Sequence, residues 1–488
     1  MPTPSEAESS ISRDQLVNKN VLADRYASTQ TLLVFSDITK NRLQRGLWIE
    51  VMKAQRDLGI NNITQQVVDD YERVMYDVNL DSIRQRERSL RHDEKAMIEE
   101  FNELAGHENS HEALTSRDAS DNIEQSQIKR GLIIVRDRAV ATLSRQARLA
   151  NENSEIVYAG RTHDAPAQSN LMGKLFTDTG EDLLIAYERL ENLIENYPLR
   201  GIKGAMGTQT DMLQLLGSPE KVDELEKRIA EYLGFKKVLG STGQIYPRSL
   251  DFEAVSALFQ TISGPANLAV TMRLMAGNEE FTEGFKDGQV GSSAMPHKMN
   301  ARTAERIKAL KAVVAGHIAM ASMITGEQWY GGDVSDSATR RVFIPDSFYA
   351  TDGIFQAVLT VLDECGFYPA VIQNELDKYL PFLTTSRILM TAVQNGVGRE
   401  IAHSAIRDHA VAVAVEMRKT GIRENDLLDR LAADPRLNLT KAQLGKALSN
   451  PIEFVGTAPQ QIKDFVAKVD KIVKKYPEAA AYKPESIL

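Results

Sequence analysis

In the run Gly288-Gln289-Val290-Gly291-Ser292-Ser293-Ala294-Met295-Pro296-His297-Lys298-Met299-Asn300, glycines, two adjacent hydroxyls, a proline and one lysine stand between long segments of helical pattern. Glycine opens backbone shapes closed to other residues and lets the main chain come close to a ligand. Around Ser292 and Ser293 this allows peptide N–H groups, hydroxyls and the Lys298 ammonium to converge on a small volume, which is chemistry for an anion. Ile307, Leu310, Val314 and Ile318 then recur at helical spacing, so Asn300 is the expected N-cap and the run would feed the positive end of a helix dipole. On Gly and Ser alone, a Gly-Ser-Ser run before a helix is more often a plain connector.

A second candidate is His163, in Arg161-Thr162-His163-Asp164-Ala165-Pro166. It follows a short extended piece that ends at Gly160 and precedes a helix expected from roughly residue 168 to 196. An imidazole so placed can move a proton or can merely satisfy a loop. Arg25-Tyr26, beside Asp24 and Ser28, reads as a helix start. The consecutive residues Arg91, His92 and Asp93 point different ways around a helix, so they suit a helix end or turn. Thr115-Ser116 precedes Asp118 and a long periodic segment, the pattern of a helix N-cap that could also meet a ligand. Gln244 closes a loop before the longest helical pattern, which runs through Val255, Leu258, Ile262, Leu268 and Met272 with an expected kink at Gly264-Pro265. Ser337, Arg340 and Arg341 follow a Gly- and Asp-rich break after Trp329, and the paired arginines fit a solvated face or an anion clamp alike.

These residues must be positioned by helices. Strong periodicity over residues 132–149, with the patterns beginning near 168, 249 and 302, implies a bundle of long helices. With 488 residues the chain divides into a disordered tail (1–20), an N-terminal helical domain (21–114), a central bundle (115–367, containing 288–300) and a C-terminal helical domain (368–488). A net charge of −9 argues against general nucleic-acid binding, so an anionic substrate must be drawn by a local group of arginines and lysines. Cys365, the single cysteine, excludes an internal disulfide and fits a reducing compartment; it reads as packing. No window of the sequence reads as a membrane span and the first twenty residues lack a signal-peptide core, so a cytoplasmic setting with no membrane partner is expected. Gly201 to Gln209 lacks the order of a P-loop or dinucleotide motif and reads as a close-packed turn. No metal-ligand spacing and no cofactor motif is present in the sequence.

Residues Gly291-Ser292-Ser293, Met295-Pro296, Lys298 and Asn300 match seven fixed positions in the ten-residue signature of the fumarase/aspartase superfamily. Arg25-Tyr26, Arg91-His92-Asp93, Thr115-Ser116, Thr162-His163, Gln244, Arg306, Ser337 and Arg341, in that order, resemble the adenylosuccinate lyase branch over about residues 20 to 450. The resemblance implies an all-α, three-domain fold around a central long-helix bundle, and a homotetramer with active sites shared between subunits. It implies elimination of fumarate from a small nucleotide substrate, adenylosuccinate or the succinyl-carboxamide ribotide of purine synthesis.

By the same resemblance Ser292 is the base and His163 the general acid. Lys298 and Ser293 hold the succinyl carboxylates, Gln244 orients substrate, and Arg25, Arg306 and Arg341 contact phosphate or carboxylate. Tyr26, Arg91, His92, Asp93, Thr115, Ser116, Thr162, Asn300 and Ser337 complete the implied substrate contacts. The chain departs from the pattern at Gly332, where many relatives carry an arginine, and at Ala301, where the signature continues with proline. Other chemistries of the superfamily, on argininosuccinate, aspartate or a carboxymuconate, and a non-catalytic helical scaffold remain open on these residues.

Overall fold

The computed structural model describes residues 19–284, 288, 294–295, 297–329, 331–422, 424–448 and 450–486. Leu47, Val51 and Ala54 form the buried stripe of α1 (Asp37–Asp57), and Gly59, at φ 107°, takes the chain out of it. The shorter α2 (Leu80–Leu90) and α3 (Asp93–Ala105) meet at Arg91, which closes the first in the left-handed conformation, φ 55°. Trp48, Tyr71 and Phe101 centre the apolar cluster of this region, which also takes in Met212 and Leu225 from far along the chain.

Five long helices pack together next: α4 (Ser116–Glu152), α5 (Met172–Asn196), α6 (Ser249–Gly277), α7 (Arg302–Ile324) and α8 (Ser337–Glu364). From Phe343 to Leu362 α8 buries nearly every residue, as a helix at the centre of a bundle must. α6 runs on through Pro265 as a single element. A Cβ at Gly264 would stand 2.5 Å from the Thr179 carbonyl oxygen of α5, so the glycine serves close approach of two helices. Against the sequence expectation, α7 is long and apolar enough to cross a membrane by length and composition; it packs against both α6 and α8, as a core helix does. Cys365 ends α8, and burial pushes its thiol up to about 11, which leaves it inert as packing.

Two small antiparallel pairs interrupt the helices. β1 (Val157–Thr162) and β2 (Ala165–Leu171) form a hairpin, and β3 (Phe281–Thr282) pairs with β4 (Gly366–Phe367). The hairpin corrects the sequence reading in two places: the extended piece continues past Gly160 to Thr162, and α5 starts at Met172 rather than near residue 168. Beyond it, α9 (Pro369–Leu383) leads to a separate apolar cluster around Ile388, Ala402, Leu427 and Leu431. The chain then returns as α10 (Ala458–Lys475), whose Ile462 and Phe465 join the core of the bundle.

Candidate active site

His163 sits at the tip of the hairpin. It and Asp164 form the two-residue turn between β1 and β2, both with positive φ, 51° and 60°, the left-handed pair that matches strand twist. Both side chains are exposed. Thr162 and His163 line a cavity of about 970 Å³ bounded by the hairpin, α5, α6 and the segment 454–461. Arg161 grips the turn from behind: its Nη1 donates to the Asp164 carbonyl at 2.8 Å, and its Nη2 pairs with Glu375 of α9.

The other candidate residues fall into separate small groups. Arg341, exposed near the start of α8, donates to Asp93 at 3.0 Å across 248 residues of sequence. Beside Asp93, His92 is the N-cap of α3, its Nδ1 accepting the Lys95 N–H at 3.2 Å, and Arg91 closes α2, so the triplet occupies a junction of two helices as its spacing implies. Ser337 shares a smaller cavity with Arg341, lined also by Lys40 and Glu124. The Arg306 guanidinium lies over the Tyr26 ring at 6.0 Å, which joins two more of the candidates. Arg25 is the exposed last residue of a short helix, Val21–Arg25, so Arg25-Tyr26 closes a helix where the sequence reading had it opening one. Thr115 is the N-cap of α4, its N–H bound by Asp118 Oδ2 at 2.9 Å, and Ser116 is the first helical residue.

Within the signature run, Ser292 and Ser293 lie outside the described residues. Lys298 is exposed, its N–H donating to the Met295 carbonyl at 3.0 Å. Asn300 is not the N-cap of α7. That position is Ala301, and the first-turn N–H groups of Thr303 and Ala304 are taken by the Glu283 carboxylate at 3.0 and 2.7 Å. The positive end of this helix is therefore already neutralised from within the chain and does not await a ligand carboxylate. Glu283 in turn ties the residues before the signature run to those after it.

Gln244 is held by glycines. Its N–H donates to the Gly331 carbonyl at 2.5 Å, and a Cβ on Gly332 would fall 2.6 Å from its side-chain Oε1. A Cβ on Gly243 would overlap Gly331, and one on Gly207 would overlap Thr242, so three loops meet backbone to backbone. Gly201 to Gln209 is thus the close-packed turn that its sequence implies. Where the pattern of relatives places an arginine, Gly332 leaves room that the Gln244 amide occupies.

What fastens these loops is a feature the sequence reading missed. Asp118, Asp121 and Glu124 recur every three residues on one face of α4, and each meets a buried arginine from a different part of the chain. Asp118 binds Arg200 at 2.6 Å and accepts the Lys203 and Gly204 N–H groups at 2.9 and 3.0 Å, which fixes the turn at 201–209. Asp121 accepts the Tyr246 N–H at 3.3 Å and pairs with Arg248, whose Nε reaches Asp336 at 2.6 Å, which fixes the loops on either side of Gln244. Arg340 pairs with Glu124 and with Asp251 of α6, each at 2.8 Å. The adjacent arginines therefore divide: Arg340 is buried structure and Arg341 faces outward.

One chain does not assemble all of this in one place. The lining of the His163 cavity includes none of Gln244, Lys298, Arg306 and Arg341.

Residues 23–316 match the sequence family described as "Lyase", and residues 381–465 match "Adenylosuccinate lyase C-terminus". The chain is 31% identical to adenylosuccinate lyase of Saccharomyces cerevisiae over 92% of its own length and 93% of the relative's. It is 31% identical to the enzyme of that name from Schistosoma mansoni, over 95% and 97%. Among solved structures, 3-carboxy-cis,cis-muconate lactonizing enzyme from Pseudomonas putida superposes with a TM-score of 0.80 at 16% identity, over 93% of this chain and 100% of that one. A fumarate lyase from Mesorhizobium superposes with a TM-score of 0.77 at 19% identity, over 91% and 98%. At those identities the likeness is one of fold.

Proposed function

The chain belongs to the adenylosuccinate lyase family of the fumarase/aspartase superfamily, and from that premise we propose how its residues cleave a carbon–nitrogen bond. It is an adenylosuccinate lyase: it eliminates fumarate from adenylosuccinate, leaving AMP, and in our reading it also cleaves the succinyl-carboxamide ribotide of purine synthesis. Ser292 removes a proton from the succinyl carbon next to a carboxylate. The electron pair first enters that carboxylate as an aci dianion, then forms the double bond of fumarate as the C–N bond breaks. His163 gives its proton to the departing nitrogen. One base, one acid and a cluster of anion-holding donors suffice for this sequence.

A serine hydroxyl is a poor base in water, so Ser292 needs the N–H groups of its own run, the Lys298 ammonium and a closed site. Lys298 and Ser293 hold the carboxylates, Gln244 orients the substrate, and Arg25, Arg306 and Arg341 take phosphate or carboxylate through forked donors. What carries the reading is that a chain of this family keeps both the Gly291 to Asn300 signature and an imidazole, His163, on a turn opening into a cavity of about 970 Å³. We further propose a homotetramer in which different subunits complete each site. Its support is the dispersal of the candidate groups within one chain and the exposed apolar residues on bundle helices: Ile185 on α5, Val270 and Leu274 on α6, and Met323 on α7. The free thiol of Cys365 fits a cytoplasmic setting.

The test is ultraviolet absorbance with adenylosuccinate, argininosuccinate and aspartate offered separately to the purified protein. Turnover of adenylosuccinate alone is expected. Turnover of either other substrate with none of adenylosuccinate would overturn the reading.

A further inference from the structure

Arg161 does not grip the His163 turn alone. Its partner Glu375 projects from α9, and the second oxygen of that carboxylate, Oε2, is buried with no hydrogen-bond partner. A buried acceptor left unmatched is costly, so such an atom asks for a donor. Facing it is Glu280, 3% exposed, on the segment that leads from α6 into β3. Burial, and then the neighbouring Glu375 carboxylate, push the Glu280 carboxyl up to about 8. Burial and the facing carboxylate thus favour one proton held between the two groups, and that proton supplies the donor.

We propose that Glu280 and Glu375 are positioning residues for His163: one proton shared between the two carboxyls holds Glu375 in place, and Glu375 through Arg161 fixes the hairpin turn that presents the imidazole. The inference rests on the assignment of His163 as the general acid. It also links both halves of the chemistry. The Glu280 carbonyl accepts the Tyr368 N–H at 3.0 Å, and three residues later Glu283 caps α7, so the same segment leads into the signature run. The groups that act on Glu280 are Glu375, Arg161 and Tyr158 of the hairpin, and Asn278 two residues before Glu280; behind Tyr158 lies Asp178 of α5, which is occupied by Lys174. Among these groups of the described residues Arg161 supplies the positive charge, and it balances a single carboxylate. A second carboxylate has no counterpart, so loss of the Glu280 proton sets two negative charges against each other beneath the turn.

The experiment is the pH dependence of kcat in the full-length protein. Glu280→Gln carries an amide donor at every pH, and we expect it to move the alkaline fall of kcat upward by at least about one pH unit. Glu375→Gln removes the ion pair with Arg161 and should lower kcat by roughly tenfold, with a smaller change in KM and an unchanged melting temperature. Should Glu375→Gln not fold, Arg161→Gln breaks the same link from the exposed side and should lower kcat alike. An alkaline limb in Glu280→Gln that coincides with the wild type, or a kcat unchanged by loss of the Arg161–Glu375 link, overturns the proposal. Near-normal kcat in His163→Gln would instead remove the assignment on which it rests.

Discussion

Gln244 and His163 are both polar residues on connections between helices, and the chain secures them by different means. Around Gln244 three loops are locked by buried ion pairs to a single face of α4, and the glycines at 207 and 243 let their backbones touch. Around His163 a two-residue turn stands exposed, held by one arginine and a carboxylate pair. Breaking a buried ion pair by removing one partner costs about 3–5 kcal/mol and a fully exposed pair contributes about 0–1; the partly covered Arg161–Glu375 pair lies between these limits. A donor that only orients substrate can be rigid. An acid that must approach a leaving nitrogen gains from a mount that can adjust, and its position then depends on few contacts.

The largest effect should come from breaking the rigid side. Asp118→Ala strands the fully buried Arg200 guanidinium and frees the turn at 201–209, and we expect about 3–5 kcal/mol of lost stability in urea unfolding. Wild-type stability would mean that the α4 face is not the anchor. On the adjustable side, His163→Gln should lower kcat by at least about a hundredfold while leaving the melting temperature unchanged, because the turn is exposed and the lost group serves chemistry. A smaller loss would return His163 to the role of a loop residue.

Gly332→Ala tests the seat of Gln244. The backbone there does not need positive φ, so alanine is tolerated, but its Cβ would displace the Gln244 amide. KM should rise by roughly tenfold, and Gln244→Ala/Gly332→Ala should be no worse than Gln244→Ala alone, the non-additivity expected of residues that act through one contact. Additive losses would separate the two residues. The smallest change in stability should follow Arg341→Ala. Its pair with Asp93 is more than half exposed on both sides, so unfolding should shift by less than about 1 kcal/mol, while KM rises if the guanidinium serves substrate.

The long helices were legible where apolar residues fall on one face, as along α5 with Leu183, Tyr187, Leu190 and Ile194, whereas α4 and α6 bury residues on more than one face and carry a weaker periodicity. The hairpin was not. Its first strand buries Tyr158, Ala159 and Gly160 consecutively, and its turn uses His163-Asp164 in place of a glycine dipeptide, so neither alternation nor turn chemistry marks it. Gly160 looked like a terminus but lies within the strand, where a Cβ would stand 2.7 Å from the Gln168 carbonyl oxygen. The N-cap of α7 is Ala301 and its first-turn N–H groups go to Glu283, a carboxylate some twenty residues earlier, which no local pattern announces. Asp118, Asp121 and Glu124 did leave a signal in their spacing. Their arginine partners stand 82, 127 and 216 residues away, so sequence alone could not separate a buried network from a solvated face. Of the candidate site, the pairs Asp93 with Arg341 and Tyr26 with Arg306 come together within one chain, and the sequence offered the members without the pairing.

In the proposed reaction a base on the signature run and an acid on the hairpin meet between subunits. Ser292→Ala and His163→Gln, each inactive alone, should regain activity when mixed under conditions of verified subunit exchange, because some hybrid sites then carry neither change. Mixtures that exchange subunits and stay as inactive as their parents would contradict this arrangement.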